Sequence, residues 1–347
     1  MNKKIIIFKN DRLGDFIHGV AAINNIIAKN PDKEVVIFLS KISKKFYFLV
    51  KNKNSKIKIL NYNLTIFEKV KIVFYLLCNS VHEIYILSPK KFYFFLPLFF
   101  FRTRFLGICM NGVNGYRRPS LFLRKFLYKF VVNNRETNNK RKSIQLLQWE
   151  LTNNDEKSLE TYDRRLDVSK SDKLNKYLPK NYLLIHYKKS VGNKLGWGEN
   201  ELDLILNELK NYNSNVVLIK DIEKDETNLV YRKKYKTYDF ESNLFYDNKS
   251  NVLFFDNIEG EDLYNVIKYS KKVIAFHGTI TSIGFLNKIS VLDLFYCEIN
   301  NKDDYYSYKN AFYEFKPKYK GYDFIVPSKS VEKTIKKMKF ALRNQNS

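Results

Sequence analysis

The sequence predicts an α/β protein made of two tandem halves, each with a mainly parallel, doubly wound sheet. Three observations predict it. The chain has 347 residues, too many for one ordinary domain and enough for two of common size, each able to bury its own core. Short runs of β-branched and aromatic residues alternate with segments whose apolar residues recur at helical spacing, the pattern of a sheet wound by helices. Between Leu151 and Lys180 the composition turns polar and highly charged, and the alternation then starts again. The boundaries read as a first domain over residues 1–165, a second over residues 166–327, and a closing helix and tail over residues 328–347.

In the first half, Lys4 to Phe8 (KIIIF) predicts a short buried strand, and Phe16, Val20, Ile23, Ile26 and Ile27 predict a helix from about Asp15. Further strands are expected at Glu34 to Leu39, Lys56 to Leu60 and Glu83 to Leu87. In the second half, strands are expected at Tyr182 to His186, Val216 to Ile219, Val252 to Phe255, Lys272 to Phe276 and Val291 to Phe295. Helices are expected there at Glu199 to Lys210, Glu261 to Tyr269 and Thr281 to Asn287. Ser328 or Ser330 heads a basic, amphipathic closing helix that runs to Leu342. The run Phe92 to Phe101 (FYFFLPLFFF) contains Pro97 and is far shorter than the roughly 20 residues a membrane-spanning helix needs. It reads either as a buried strand or helix, or as a surface that dips into a bilayer interface, since Lys90, Lys91, Arg102 and Arg104 flank it.

The formal charge of +25, from 61 Lys and Arg against 36 Asp and Glu, directs attention to polyanionic partners: nucleic acid, an anionic membrane surface or phosphorylated substrates. A coding bias toward Lys, Asn, Ile, Phe and Tyr, spreading lysine over every solvated face, gives the same number. Nucleic-acid binding asks for a motif of its own, and the sequence has no zinc-finger spacing, RNP aromatic pattern or long basic arm. Cys78, Cys109 and Cys297 are too few and too widely spaced for a disulfide framework or a CxxC metal site, which points to a reducing, cytoplasmic compartment. The opening MNKKIIIFKNDRLGD has too short an apolar stretch for a signal-peptide core, so export is not expected.

Open α/β sheets bind ligands beyond the carboxyl ends of their strands, and three polar loops fall at such places. Lys9 to Asp15 (KNDRLGD) leads from the first strand into the first helix; there Asp15 serves either as a helix cap and dipole partner or as a general base. His186 to Trp197 (HYKKSVGNKLGW) sets lysines beside glycines, a chemistry suited to a diphosphate, though any one lysine in so lysine-rich a chain also reads as solvated surface. Neither loop carries the GxGxxG or GxxxxGK[ST] order. His277 to Ser282 (HGTITS) opens a helix with small hydroxyl residues, which either cap it or leave its amides to an anion. His277 reads as a packed polar residue or as a ligand contact.

With these loops placed, the chain resembles the heptosyltransferase-type glycosyltransferases, family 9 of the GT-B architecture. KNDRLGDFIHGVAAINNI is similar to that family's N-terminal run, in which a Gly-Asp pair opens the first helix and the Asp is the proposed base, a role that falls on Asp15. LLIHYKKSVGNKLGWGENEL resembles the donor-binding segment, where a Lys shortly before a Trp contacts the donor diphosphate; Lys194, ahead of Trp197, matches it. In VIAFHGTITSIGFLNKISVLDLF, which resembles the late motif, His277, Gly278, Thr279 and Ser282 stand where the family usually has Asp, Thr, Gly and His.

The resemblance implies two Rossmann-like domains facing across a cleft, acceptor on the first and nucleotide sugar on the second. It implies catalysis by Asp15, donor contacts at Lys194, His277, Gly278, Thr279, Thr281 and Ser282, and acceptor contacts at Arg12, Arg117 and Arg118. The anomeric centre would be inverted, with no bound metal and no cofactor beyond the nucleotide-sugar co-substrate. The implied donor is ADP-heptose-like. The implied acceptor is an anionic, lipid-linked glycan of lipopolysaccharide core, O-antigen or capsule type, met at the inner face of the cytoplasmic membrane, with no nucleic-acid partner. Nine basic residues (Arg117, Arg118, Arg124, Lys125, Lys129, Arg135, Lys140, Arg141 and Lys142) against Glu136 alone would attract such an acceptor. Two other readings stand beside it: a GT-B-fold nucleotide-sugar epimerase, and a non-catalytic basic protein that binds membrane or nucleic acid.

Overall fold

The computed structural model describes residues 3–51, 55–112, 117–134, 142–162, 168–213, 215–221, 227–296 and 321–344. The chain divides into two compact units, Met1–Arg164 and Arg165–Glu298 with Pro317–Ser347. The boundary expected between residues 165 and 166 lies outside the described residues, as does Cys297.

The first unit opens with β1 (Lys4–Lys9), α1 (Leu13–Ala28), β2 (Val35–Ser40), α2 (Lys41–Lys44), β3 (Ser55–Leu60), α3 (Ile66–Leu77) and β4 (Val81–Ile86). It continues through β5 (Arg104–Asn111), β6 (Arg117–Arg118), α4 (Leu121–Arg124), β7 (Lys129–Asn134), α5 (Ile144–Leu151) and α6 (Glu156–Thr161). The strands pair in the order β3-β2-β1-β4-β5, all parallel, with β7 parallel to β5 and the short β6 antiparallel to its end. Ile5 to Phe8 are wholly buried, as a central parallel strand covered on both faces requires. On one face Ile6, Phe8, Phe38 and Ile86 pack against Ile72 and Leu76 of α3, Tyr93, Phe94 and Leu96, and Leu123 and Leu127. α1 and α5 pack together through Ala21, Leu146 and Trp149.

The run Phe92 to Phe101 forms neither a strand nor an α-helix, but two 3₁₀ turns, Lys91–Phe94 and Leu96–Leu98. Ten consecutive apolar side chains exceed what one edge of the core can take in. The turns therefore bury Tyr93, Phe94, Leu96 and Pro97 and leave Phe95, Leu98, Phe99 and Phe101 exposed.

The second unit runs through α7 (Asp172–Tyr177), β8 (Leu183–Tyr187), α8 (Lys189–Leu195), α9 (Glu199–Lys210), β9 (Val216–Lys220), α10 (Thr227–Lys234), β10 (Lys236–Asp239) and β11 (Leu244–Tyr246). β12 (Val252–Asp256), α11 (Gly260–Lys268), β13 (Lys272–Phe276), α12 (Thr279–Leu286), β14 (Ser290–Leu294), β15 (Tyr322–Ile325) and α13 (Val331–Asn344) complete it. The order is β11-β10-β12-β9-β8-β13-β14-β15, parallel except for the β10/β11 pair. Ser330 is the cap of α13, accepting from the Lys333 amide at 3.2 Å. Among the described residues no helix is long and apolar enough to cross a membrane.

Candidate functional site

Where the strand order of an open parallel sheet reverses, the two crossovers leave in opposite directions and open a crevice beyond the strand ends. In the first unit this happens between β1 and β4. A cavity of about 230 Å³ opens there, with Lys9, Asp11, Asp15, Lys90, Arg118 and Gln148 in its wall.

The turn after β1 is held by what it buries. Asn10 donates to the Asn61 carbonyl at 2.7 Å and accepts the Tyr93 hydroxyl at 2.8 Å. Lys9 is 1 % exposed, and its ammonium meets the Asp11 carboxylate at 2.9 Å. The amides of Leu87 and Ser88 both donate to the Phe8 carbonyl, which ties the exit of β4 to that of β1. α1 starts at Leu13 with Arg12 as its N-cap, so Asp15 lies inside the first turn and is not the cap. There the dipole at the helix N-terminus stabilises its carboxylate.

Gln148, on α5, was not among the residues read from the sequence. It is wholly buried in the cavity wall, and neither its amide nitrogen nor its carbonyl oxygen has a partner. An unpartnered buried amide costs about 1–3 kcal/mol, so one set in the wall of a polar cavity is poised for a ligand hydroxyl or carboxylate. Gly19 makes the arrangement fit, since a Cβ there would stand 2.7 Å from Lys9 Cε and 2.9 Å from Gln148 Oε1. Burial lowers the pKa of the Lys90 ammonium; Asp11 opposes the shift, and Lys9 and Arg118 reinforce it.

The structure thus brings Asp15 and Arg118 into one cavity. Arg12 is not part of the wall; its guanidinium lies 5.7 Å from the centroid of the lining Tyr62 ring. Arg117 is exposed on β6 and is not part of the wall. Arg135, Lys140 and Arg141 of the basic run, and Glu136, lie outside the described residues.

In the second unit the reversal lies between β8 and β13. The segment expected as an open loop after β8 is instead the short α8, closed by Gly196 at φ 73°. Lys194 is exposed on its last turn. Behind it Trp197 is buried: the indole donates to the Lys329 carbonyl at 3.1 Å and the ring packs against Phe276, which anchors the loop to the end of β13.

α12 begins at Thr279, two residues earlier than expected, after Gly278 at φ 155° and ψ −144°, a conformation open essentially to glycine alone. The Thr281 and Ser282 hydroxyls donate to the Gly278 carbonyl at 2.8 and 2.9 Å. These two side chains brace the turn, and the amides of the first turn of α12 are left as its anion-directed groups. The imidazole Nδ1 of His277 donates to the Asp293 carboxylate at 2.7 Å, and the Tyr322 hydroxyl donates to the same oxygen at 2.7 Å. Asp293 is wholly buried, with its other oxygen unpartnered. At the end of β8, His186 pairs with Asp221 at 3.2 Å.

Two doubly wound units in tandem, each with polar groups at its strand-order reversal, make this a protein of GT-B architecture. No protein-family model and no curated protein sequence matches the chain. In three dimensions it is similar to the E. coli heptosyltransferase WaaC with ADP, at TM-score 0.62 and 11% identity, covering 99% of each chain. It is also similar to a glycosyl transferase of family 9 from Veillonella parvula, at TM-score 0.59 and 11% identity, over 97% of this chain and 92% of that one. A UDP-GlcNAc 2-epimerase from Methanocaldococcus jannaschii aligns at TM-score 0.55 and 12% identity over 97% of this chain and 92% of that one. At such identities the likeness is one of fold.

Proposed function

We propose that the chain is a glycosyltransferase that moves a sugar from a nucleotide-sugar donor to an anionic, lipid-linked cell-surface glycan. The observation that carries this reading is Asp15, set in a polar cavity at the strand-order reversal of a unit whose fold, with that of its tandem partner, runs the whole length of a heptosyltransferase. In the proposed reaction Asp15 takes the proton of an acceptor hydroxyl as its oxygen bonds to the anomeric carbon. The bond from that carbon to the phosphate oxygen breaks, and the nucleoside diphosphate leaves against Lys194 and the first-turn amides of α12. One displacement inverts the anomeric centre, and no bound metal is required. An ADP-heptose-like donor, and an acceptor met at the inner face of the cytoplasmic membrane, are part of the same proposal.

The test is an acceptor-dependent assay across a panel of nucleotide sugars, in the presence and absence of EDTA. Nucleoside diphosphate is expected to appear only when both substrates are present, with and without the chelator, and the product is expected to have the opposite anomeric configuration to the donor. The epimerase reading draws support from the fold shared with the UDP-GlcNAc 2-epimerase. Conversion of donor with no acceptor present would establish it and reject the transferase.

A further inference from the structure

α3 has two apolar faces, and the protein covers only one. Ile72 and Leu76 point into the core, whereas Ile66, Phe67, Val70, Phe74 and Leu77 are 60–80% exposed. Ile66, Val70, Phe74 and Leu77 recur at i, i+4, i+8 and i+11, so they form a single stripe along the solvent side of the helix. Lys69 and Lys71 flank it.

The stripe does not stand alone. The 3₁₀ turns after β4 and the α4 segment cover the same sheet face as α3, burying Tyr93, Phe94, Leu96, Leu123 and Leu127 in one cluster with Ile72 and Leu76. The Lys69 ammonium lies 6.0 Å from the Phe92 ring centroid, and Phe94 and Leu127 meet over Gly107, so the three segments adjoin. On their outer side Phe99 is 72% exposed, Phe101 82%, and Phe122 61%. An apolar surface of this extent marks a contact with a partner or a membrane.

We infer that this face of the first unit docks on the interface of an anionic lipid bilayer, with the α3 stripe, Phe99, Phe101 and Phe122 entering the acyl boundary. Charge chooses the occupant. From Tyr62 to Phe130 the chain carries ten Lys and Arg besides the buried Arg124, against two acids, Glu68 and Glu83. A second copy meeting this face through a two-fold axis would bring like charge against like. Nucleic acid would satisfy the cations but leave Ile66, Val70 and Leu77 in water. An anionic bilayer satisfies both, as for helices lying in the membrane plane with basic residues beside an apolar face. The surface also borders the cavity, since Lys90 leads into the first 3₁₀ turn and Arg118 precedes α4. The inference rests on exposure and charge, so it stands or falls separately from the transferase reading.

The test is flotation of the full chain with vesicles of phosphatidylcholine, with and without phosphatidylglycerol. The wild type is expected to float with the anionic vesicles. A variant carrying Phe74→Ser, Phe99→Ser, Phe101→Ser and Phe122→Ser is expected to lose about tenfold or more of that partition with its melting temperature unchanged. Phe74→Trp serves as an independent probe that removes no apolar surface: its emission is expected to shift to the blue on adding anionic vesicles and to be quenched by brominated lipid. Equal flotation of the serine variant, no binding by the wild type, or a tryptophan that stays in water would each overturn the inference. So would a wild-type dimer that the serine changes dissociate without any vesicle binding, or RNA binding in place of lipid binding.

Discussion

At the strand-order reversal of the first unit the polar groups are side chains, and at that of the second a turn of backbone amides stands beside the His186 and His277 side chains. Lys9, Asp11, Asp15, Lys90, Arg118 and Gln148 reach their cavity from separate stretches of chain. The turn before α12 instead offers amides, shaped by Gly278 and braced by the Thr281 and Ser282 hydroxyls. Side chains converging from many elements can be changed one at a time, so such a site suits a substrate that varies. Backbone amides are the same in every sequence, so such a site suits a group that does not vary, and a diphosphate is one.

Substitution should therefore act differently at the two places. Asp15→Asn keeps the shape of the first cavity and removes the proposed base. Turnover is expected to fall by about a hundredfold or more, with donor binding by calorimetry unchanged; undiminished turnover would remove Asp15 from catalysis. In the second unit the damaging change is to the backbone: Gly278→Val forces a β-branched residue into a conformation that costs on the order of 1–3 kcal/mol. Affinity for nucleoside diphosphate is expected to drop roughly tenfold or more, and Ser282→Ala at the same turn is expected to lose less. Equal effects would erase the contrast. Lys194→Ala tests whether the backbone acts alone. Loss of one charge-assisted contact is worth about 1.5–3 kcal/mol, so a roughly tenfold weaker diphosphate affinity is expected, and no change would leave the amides as the whole donor site.

The same contrast decided what the sequence disclosed. Lys4 to Phe8, Glu199 to Lys210 and Lys272 to Phe276 carried periodicities strong enough to place both sheets, and Asp15 and Gly278 stood at the helix starts just beyond two such strands. β5 was not legible. Its run RFLGICMN carries a glycine and follows the phenylalanine-rich stretch, whose apolar signal is the stronger one in that region. β6, β7, β10, β11 and β15 are short or lie near sheet edges, where pairing rather than pattern makes the strand. Gln148 reads as an ordinary polar residue of IQLLQWEL, and Asp293 as one alternation in SVLDL. What sets them apart is burial in the wall of a polar cavity beside Gly19 in one case and hydrogen bonds from His277 and Tyr322 in the other, and neither is visible in local spacing.

The smallest expected effect probes whether the first cavity is built for a ligand. Gln148→Leu replaces an amide that has no partner with an apolar group of similar volume. If the wall only filled space, the change would relieve a desolvated amide, and stability would rise by up to about 1 kcal/mol with no effect on any substrate. If the amide is held unpaired for the acceptor, stability rises in the same way but the acceptor KM increases several-fold while the donor KM holds. The expected outcome is this split between folding and acceptor affinity. An unchanged acceptor KM would show that burial alone keeps Gln148 there, and the two reversals would then differ in their groups but not in their purpose.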